Sequence, residues 1–151
     1  MLDDSDRRLL RHLQADPNQP MAQLAAAAGL PLATCYKRLD RLQAQGVLRG
    51  QHMAIHWPAL GYTVEVSLRV TLDKTEPRAF DEFLSAARGV PEVIEIQTFL
   101  GRVDVRLAVI ARSMAHYQSI YRDRILTLPH IADIEALMHV ATIKNQQTLP
   151  I

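Results

Sequence analysis

The spacing of apolar residues in this chain changes once, near residue 62, from a helical repeat to strict alternation. No single secondary-structure type satisfies both patterns, so the chain is expected to fold as two domains. Beyond the change, "VEVSLRVTL" puts Val64, Val66, Leu68, Val70 and Leu72 on one face and Glu65, Ser67, Arg69 and Thr71 on the other. "VDVRLAVIA" repeats the device with Val103, Val105, Leu107, Val109 and Ala111. Two further segments, "VIEIQTFL" and "IADIEALMHVATI", alternate less strictly, as strands covered on both faces do. Between the strands lie helical patterns at 77–88 (Phe80, Phe83, Leu84, Ala87) and 113–128 (Met114, Tyr117, Ile120, Tyr121, Leu128), the second with Ser113 placed to cap it. The order β-α-β-β-α-β predicts an α+β, ferredoxin-like domain with an antiparallel sheet.

Before the change, three helices follow one another. Leu2, Leu9, Leu10 and Leu13 keep helical spacing, with Asp3 or Asp4 available as a cap. "DPNQP" breaks that helix, and "MAQLAAAAG" forms a short second one stopped at Gly29. Pro31 then stands at the start of a third helix that ends near Gly46. A short helix, a glycine turn and a third helix make a helix-turn-helix, plain or winged-helix-like. "VLRGQHMAIHWPALGY" reads as a hairpin-like segment and link. The expected domains are 1–49, a linker at 50–61, and 62–151.

On the third helix, at about 100° per residue, Cys35, Leu39 and Leu42 fall together and face a core. Thr34, Lys37 and Arg41 lie opposite, with Ala33 beside them and Tyr36 and Arg38 on the flanks. Small and hydrogen-bonding residues let a helix approach base edges, while long cations reach phosphate or guanine. Charge agrees: residues 1–61 hold seven Lys/Arg against five Asp/Glu, whereas residues 62–151 hold ten against eleven. The expected partner is double-stranded DNA.

Other chemistry is poorly represented. One cysteine excludes an internal disulfide framework and suits a reducing cytoplasm. The N-terminus lacks the apolar core of a secretory signal, and no apolar run is long enough to span a membrane. His52 and His56 sit in an extended segment where i, i+4 spacing does not converge on a metal. No phosphate loop, nucleophile elbow or cofactor motif is present, so no cofactor is expected.

The segments "LDDSDRRLLRHLQAD", "QLAAAAGLPLATCYKRLDRLQAQGVLRG" and "PALGY" resemble the N-terminal half of the Lrp/AsnC, or feast/famine, family of transcriptional regulators. "PEVIEIQTFLGRVDVRLAVIA" and "LPHIADIEALMHVATIK" resemble its second half. The resemblance implies a DNA-binding transcriptional regulator whose third helix reads the major groove through Ala33, Thr34, Tyr36, Lys37 and Arg41, with Arg38 serving structure or phosphate. It implies a hinge strand at 50–57. It also implies a C-terminal module that dimerises through its sheets, assembles further to tetramers or octamers, and binds a small effector, usually an amino acid. The effector residues so implied are Leu100, Gly101, Arg102 and Asp104 in one loop, with Ile134 and Ala136 on the last strand.

The chain departs from the family pattern at Pro20 and Pro31, where capping serines are usual, at Arg102 after the loop glycine, and at Ile134 and Ala136, where hydroxyl residues are common. Asp104 has two readings, a solvated strand residue or a residue that binds an effector's amino group or a partner subunit. The alternative function is a sirohaem-decarboxylase-like enzyme of similar architecture, with Arg102, Arg106, His116 and His139 facing tetrapyrrole carboxylates.

Overall fold

The structure is a computed structural model and describes residues 2–145 and 148–151. The chain divides into two compact units, one running to Ala54 and rejoined by the stretch from Lys144, the other spanning Ile55–Ile143. The closing residues therefore pack with the first unit.

The first unit has three helices. Helix α1 (Asp4–Ala15) starts in a capping box: Asp3 accepts from the Asp6 amide at 2.8 Å, and Asp6 accepts from the Asp3 amide at 3.1 Å. Helix α2 (Met21–Ala28) ends at Gly29, whose φ of 67° is the left-handed conformation a helix stop requires. Helix α3 (Leu32–Ala44) follows directly. Pro20 and Pro31 occupy the N-cap positions of α2 and α3, and neither supplies a side-chain cap. Leu9, Leu10, Leu24, Ala25, Ala28, Cys35 and Leu42 form the core, with Leu39 packed beside it. The buried stripe of α3 is thus the one its spacing predicts.

The C-terminal residues lie along α1. Gln14 donates to the Leu149 carbonyl at 3.4 Å and accepts from the Leu149 amide at 2.6 Å. The Arg11 guanidinium donates to the Ile151 carbonyl at 2.8 Å, and the Ile151 side chain packs against the core. Residues 50–56 pair with no strand among the described residues, so the hairpin-like reading does not hold there. Among the described residues no wing follows the three helices.

The second unit opens with a 3₁₀ turn at Trp57–Leu60. It continues through β1 (Val64–Leu72), α4 (Ala79–Ala87), β2 (Val93–Thr98), β3 (Val105–Ala111), α5 (Met114–Ile120) and β4 (Ile131–Met138). The sheet is antiparallel with strand order β2-β3-β1-β4, the ferredoxin-like arrangement. Val66, Leu68 and Val70 of β1 and Val105, Leu107 and Val109 of β3 bury one face of the sheet against Phe83, Ala87, Tyr117 and Ile120 of the helices.

Two details differ from the sequence reading. Strands β2 and β4 are edge strands with mostly exposed or half-exposed side chains, not strands covered on both faces. Their loose alternation reflects an edge that has less to bury. The helix expected over 113–128 keeps α-geometry only to Ile120, then widens into a π-turn at Tyr121–Ile125, where the Leu126 amide reaches back to Tyr121. That turn keeps Ile125 in the core.

Candidate functional site

Helix α3 presents Ala33, Tyr36 and Lys37 to solvent, with Thr34 half-buried beside them. Tyr36 is 49% exposed, much for a large ring. Among the described residues Lys37 forms no ion pair, so its ammonium is free to meet an anion. This surface is small in the middle and cationic at one side.

The two arginines stand differently. Arg38 donates through Nη1 to Asp3 at 2.7 Å and to Asp6 at 2.7 Å. Arg41 lies on both oxygens of the same Asp6, at 2.6 Å each. Arg41 therefore does not stand free beside Lys37 over the outer face, as the helical wheel had it. A long side chain goes where its charge is paired, and Asp6 is fully buried on α1. The Arg38 guanidinium beside Asp3 pulls that carboxyl down to about 2, helped by the Asp6 amide. The same acids push the Arg38 guanidinium pKa further up.

Asp6 was missed as a functional residue although its sequence held a signal. Leu2, Asp6, Leu9, Leu10 and Leu13 share one helical face, so a carboxylate interrupts an apolar stripe. A charge there must find a buried partner.

In the second unit, the loop between β2 and β3 carries four of the expected effector residues. Leu100, Gly101 and Arg102 are exposed, and the Arg102 carbonyl accepts from the Thr71 hydroxyl at 3.1 Å. Asp104 is buried and already engaged: it accepts from the Leu72 amide at 2.9 Å and pairs with Lys74 at 3.2 Å. The solvated reading of Asp104 does not fit that geometry.

On β4, Ile134 and Ala136 stand opposite Val70 and Leu68, which places them on the helix-facing side of the sheet. A cavity of about 500 Å³ opens near the loop, lined by Arg69, Thr71, Arg102, Val103, Asp133, Ile134 and Glu135. Of the six expected effector residues, Arg102 and Ile134 line it; Leu100, Gly101, Asp104 and Ala136 do not. Arg69, Thr71, Asp133 and Glu135 were missed, because their polar alternation reads equally well as a solvated sheet face. No cluster of His, Cys, Asp or Glu able to hold a metal occurs among the described residues.

A three-helix unit with an exposed cationic third helix, joined to a βαββαβ unit with a polar cavity, defines a class: DNA-binding proteins with an attached ligand-binding domain. Family comparison agrees on both parts. Residues 2–49 match the winged helix-turn-helix DNA-binding model, and residues 65–149 match the Lrp/AsnC ligand binding domain. The chain belongs to the Lrp/AsnC family of transcriptional regulators, a family of regulators and not of enzymes.

Individual relatives are distant but matched end to end. The chain is 27% identical over 148 residues to the proline dehydrogenase transcriptional activator of Rhodobacter capsulatus, covering 98% of this chain and 96% of the relative. An AsnC family regulator from Agrobacterium tumefaciens superimposes with a TM-score of 0.87 at 27% identity, over 99% of this chain and 97% of that one. A transcriptional regulator of Neisseria meningitidis, crystallised with L-methionine, shares the fold with a TM-score of 0.89 at 22% identity, over 99% and 97% of the two chains.

Proposed function

We propose that this regulator reads DNA with α3 in the major groove, through Ala33, Thr34, Tyr36 and Lys37, while Arg38 and Arg41 brace the helix against α1. The observation that carries this reading is the free, exposed Lys37 beside a patch of small and hydrogen-bonding side chains. Two such helices in a dimer would grip half-sites about 34 Å apart, with residues 50–61 as the hinge between domains.

A homo-oligomer is supported by the open face of the sheet. There Arg69 stands directly opposite Arg106, with Gln97 and Glu135 at the outer ends of that row; Arg106 pairs diagonally with Glu95, and Arg69 pairs with Glu135. Charges of both signs on one open face let that face meet its own copy, as a contact between identical subunits requires. The effector is an amino acid, as the methionine-bound relative suggests, taken up near the 100–104 loop and the cavity beside it. Arg102 and Arg69 there suit a carboxylate. A regulator acting on chromosomal DNA works in the cytoplasm, and no helix among the described residues is long and apolar enough to cross a membrane.

The test is fluorescence anisotropy of the full chain on DNA from upstream of its own gene, against a scrambled duplex, at about 50 and about 200 mM salt. Tighter binding to the native sequence, weakening steeply with salt, is the expected result. Lys37→Ala should weaken binding about tenfold and leave the oligomer intact on sizing. An unchanged affinity would remove Lys37 from the interface.

A further inference from the structure

The arginines of α3 raise a question that DNA recognition alone does not answer. A DNA-binding unit gains affinity from every cation that reaches a phosphate, yet two of the seven Lys/Arg of residues 1–61 are turned onto acids of the same unit. Asp6 is fully buried and takes both guanidiniums; Asp3 takes Arg38 again. The Arg38 side chain is 22% exposed and that of Arg41 45%, so neither is hidden from solvent. They are accessible but neutralised. The arrangement persists although the buried Nε of Arg38 has no hydrogen-bond partner, an unmet donor that an arginine turned out to water would not leave.

We propose that Asp6 is a positioning residue for recognition: together with Asp3 it holds the Arg38 and Arg41 guanidiniums off DNA phosphates, lowering affinity for DNA of arbitrary sequence and leaving contact to the outer surface of α3. The inference rests on the assignment of α3 as the DNA-contacting helix. Its physical basis is that non-specific binding is almost wholly phosphate electrostatics, so each cation withheld lowers it. Base contacts made by other side chains are untouched, so a larger share of the affinity for a specific site comes from base readout. The four charges sum to zero, so the basic excess of residues 1–61 is carried by Arg7, Arg8, Arg11, Lys37 and Arg49.

The experiment measures the salt dependence of full-length protein binding to a mixed-sequence duplex. Each phosphate contact contributes a slope of about −0.9 in log K against log salt, or about 3.5-fold in affinity between about 50 and about 200 mM. Arg41→Ala is expected to leave that slope unchanged; a slope shallower by about 0.9 would show Arg41 on a phosphate and overturn the proposal. Asp6→Asn keeps the shape but removes the charge, and should steepen the slope by up to about 1.8 and raise affinity for the mixed duplex.

A folded Asp6→Asn protein with wild-type slope and affinity would sink the idea. Should that variant fail to fold, Arg38→Ala replaces it: because Asp3 and Asp6 already hold that guanidinium, the slope should not change, and one shallower by about 0.9 would overturn the proposal. Lys37→Ala separates the two readings. If its slope is unchanged while Asp6→Asn is steepened, the clamp stands and the contacting surface lies elsewhere in the unit.

Discussion

Asp104 carries the clearest lesson at the scale of one residue. Its neighbours Val103 and Val105 continue an alternating pattern, so position 104 reads as the polar side of a strand. The strand in fact begins at Val105, and residue 104 belongs to the loop. There its amide donates to the Val70 carbonyl at 3.0 Å while its carboxylate accepts from the Leu72 amide, so it fastens the loop to the end of β1. Asp104→Ala would strand that amide in a buried place and should cost about 1–3 kcal/mol of stability. Chemical denaturation measures it, and a loss below a few tenths would refute the fastening role. Cys35, by contrast, was legible from the wheel alone, because burial at helical spacing needs no knowledge of distant strands. Asp104 and Asp6 were not, since their partners lie 32 and 35 residues away.

Among the elements, the join between α1 and α3 makes a prediction about acid. Asp3 caps α1 and pairs with Arg38 of α3, and its carboxyl falls from an ordinary 3.8 to about 2. A carboxyl depressed on folding adds stability that is complete above the unfolded value and is lost as pH falls through the folded one. The first unit should therefore weaken between about pH 4 and about pH 2, and Asp3→Asn should flatten that part of the profile. Circular dichroism along an acid titration decides it; identical profiles for the two proteins would mean the pair contributes nothing. The elements themselves were largely legible, because period 3.6 and period 2 are written in the chain. Edge strands, the π-turn after Ile120 and the missing ladder at 50–56 were not, because each depends on which neighbour a strand or helix finds.

For the molecule as a whole, the two-part division follows from the change of period near residue 62, but the return of the C-terminus does not. Nothing in "TLPI" announces that Leu149 will bond to Gln14 or that Ile151 will join the helical core. Deleting residues 149–151 removes those contacts, and α1 should lose about 1 kcal/mol, seen as amide exchange roughly fivefold faster. Unchanged exchange in α1 would mean the tail merely rests there.

The same return sets an order of events during synthesis. Lys144 follows Ala54 by ninety residues, and the contacts at Leu149 and Ile151 come later still. At a ribosome adding roughly 5–20 residues per second, α1 to α3 wait on the order of 5–20 s for their last partner. The first unit is thus completed only after the whole of the second has been translated.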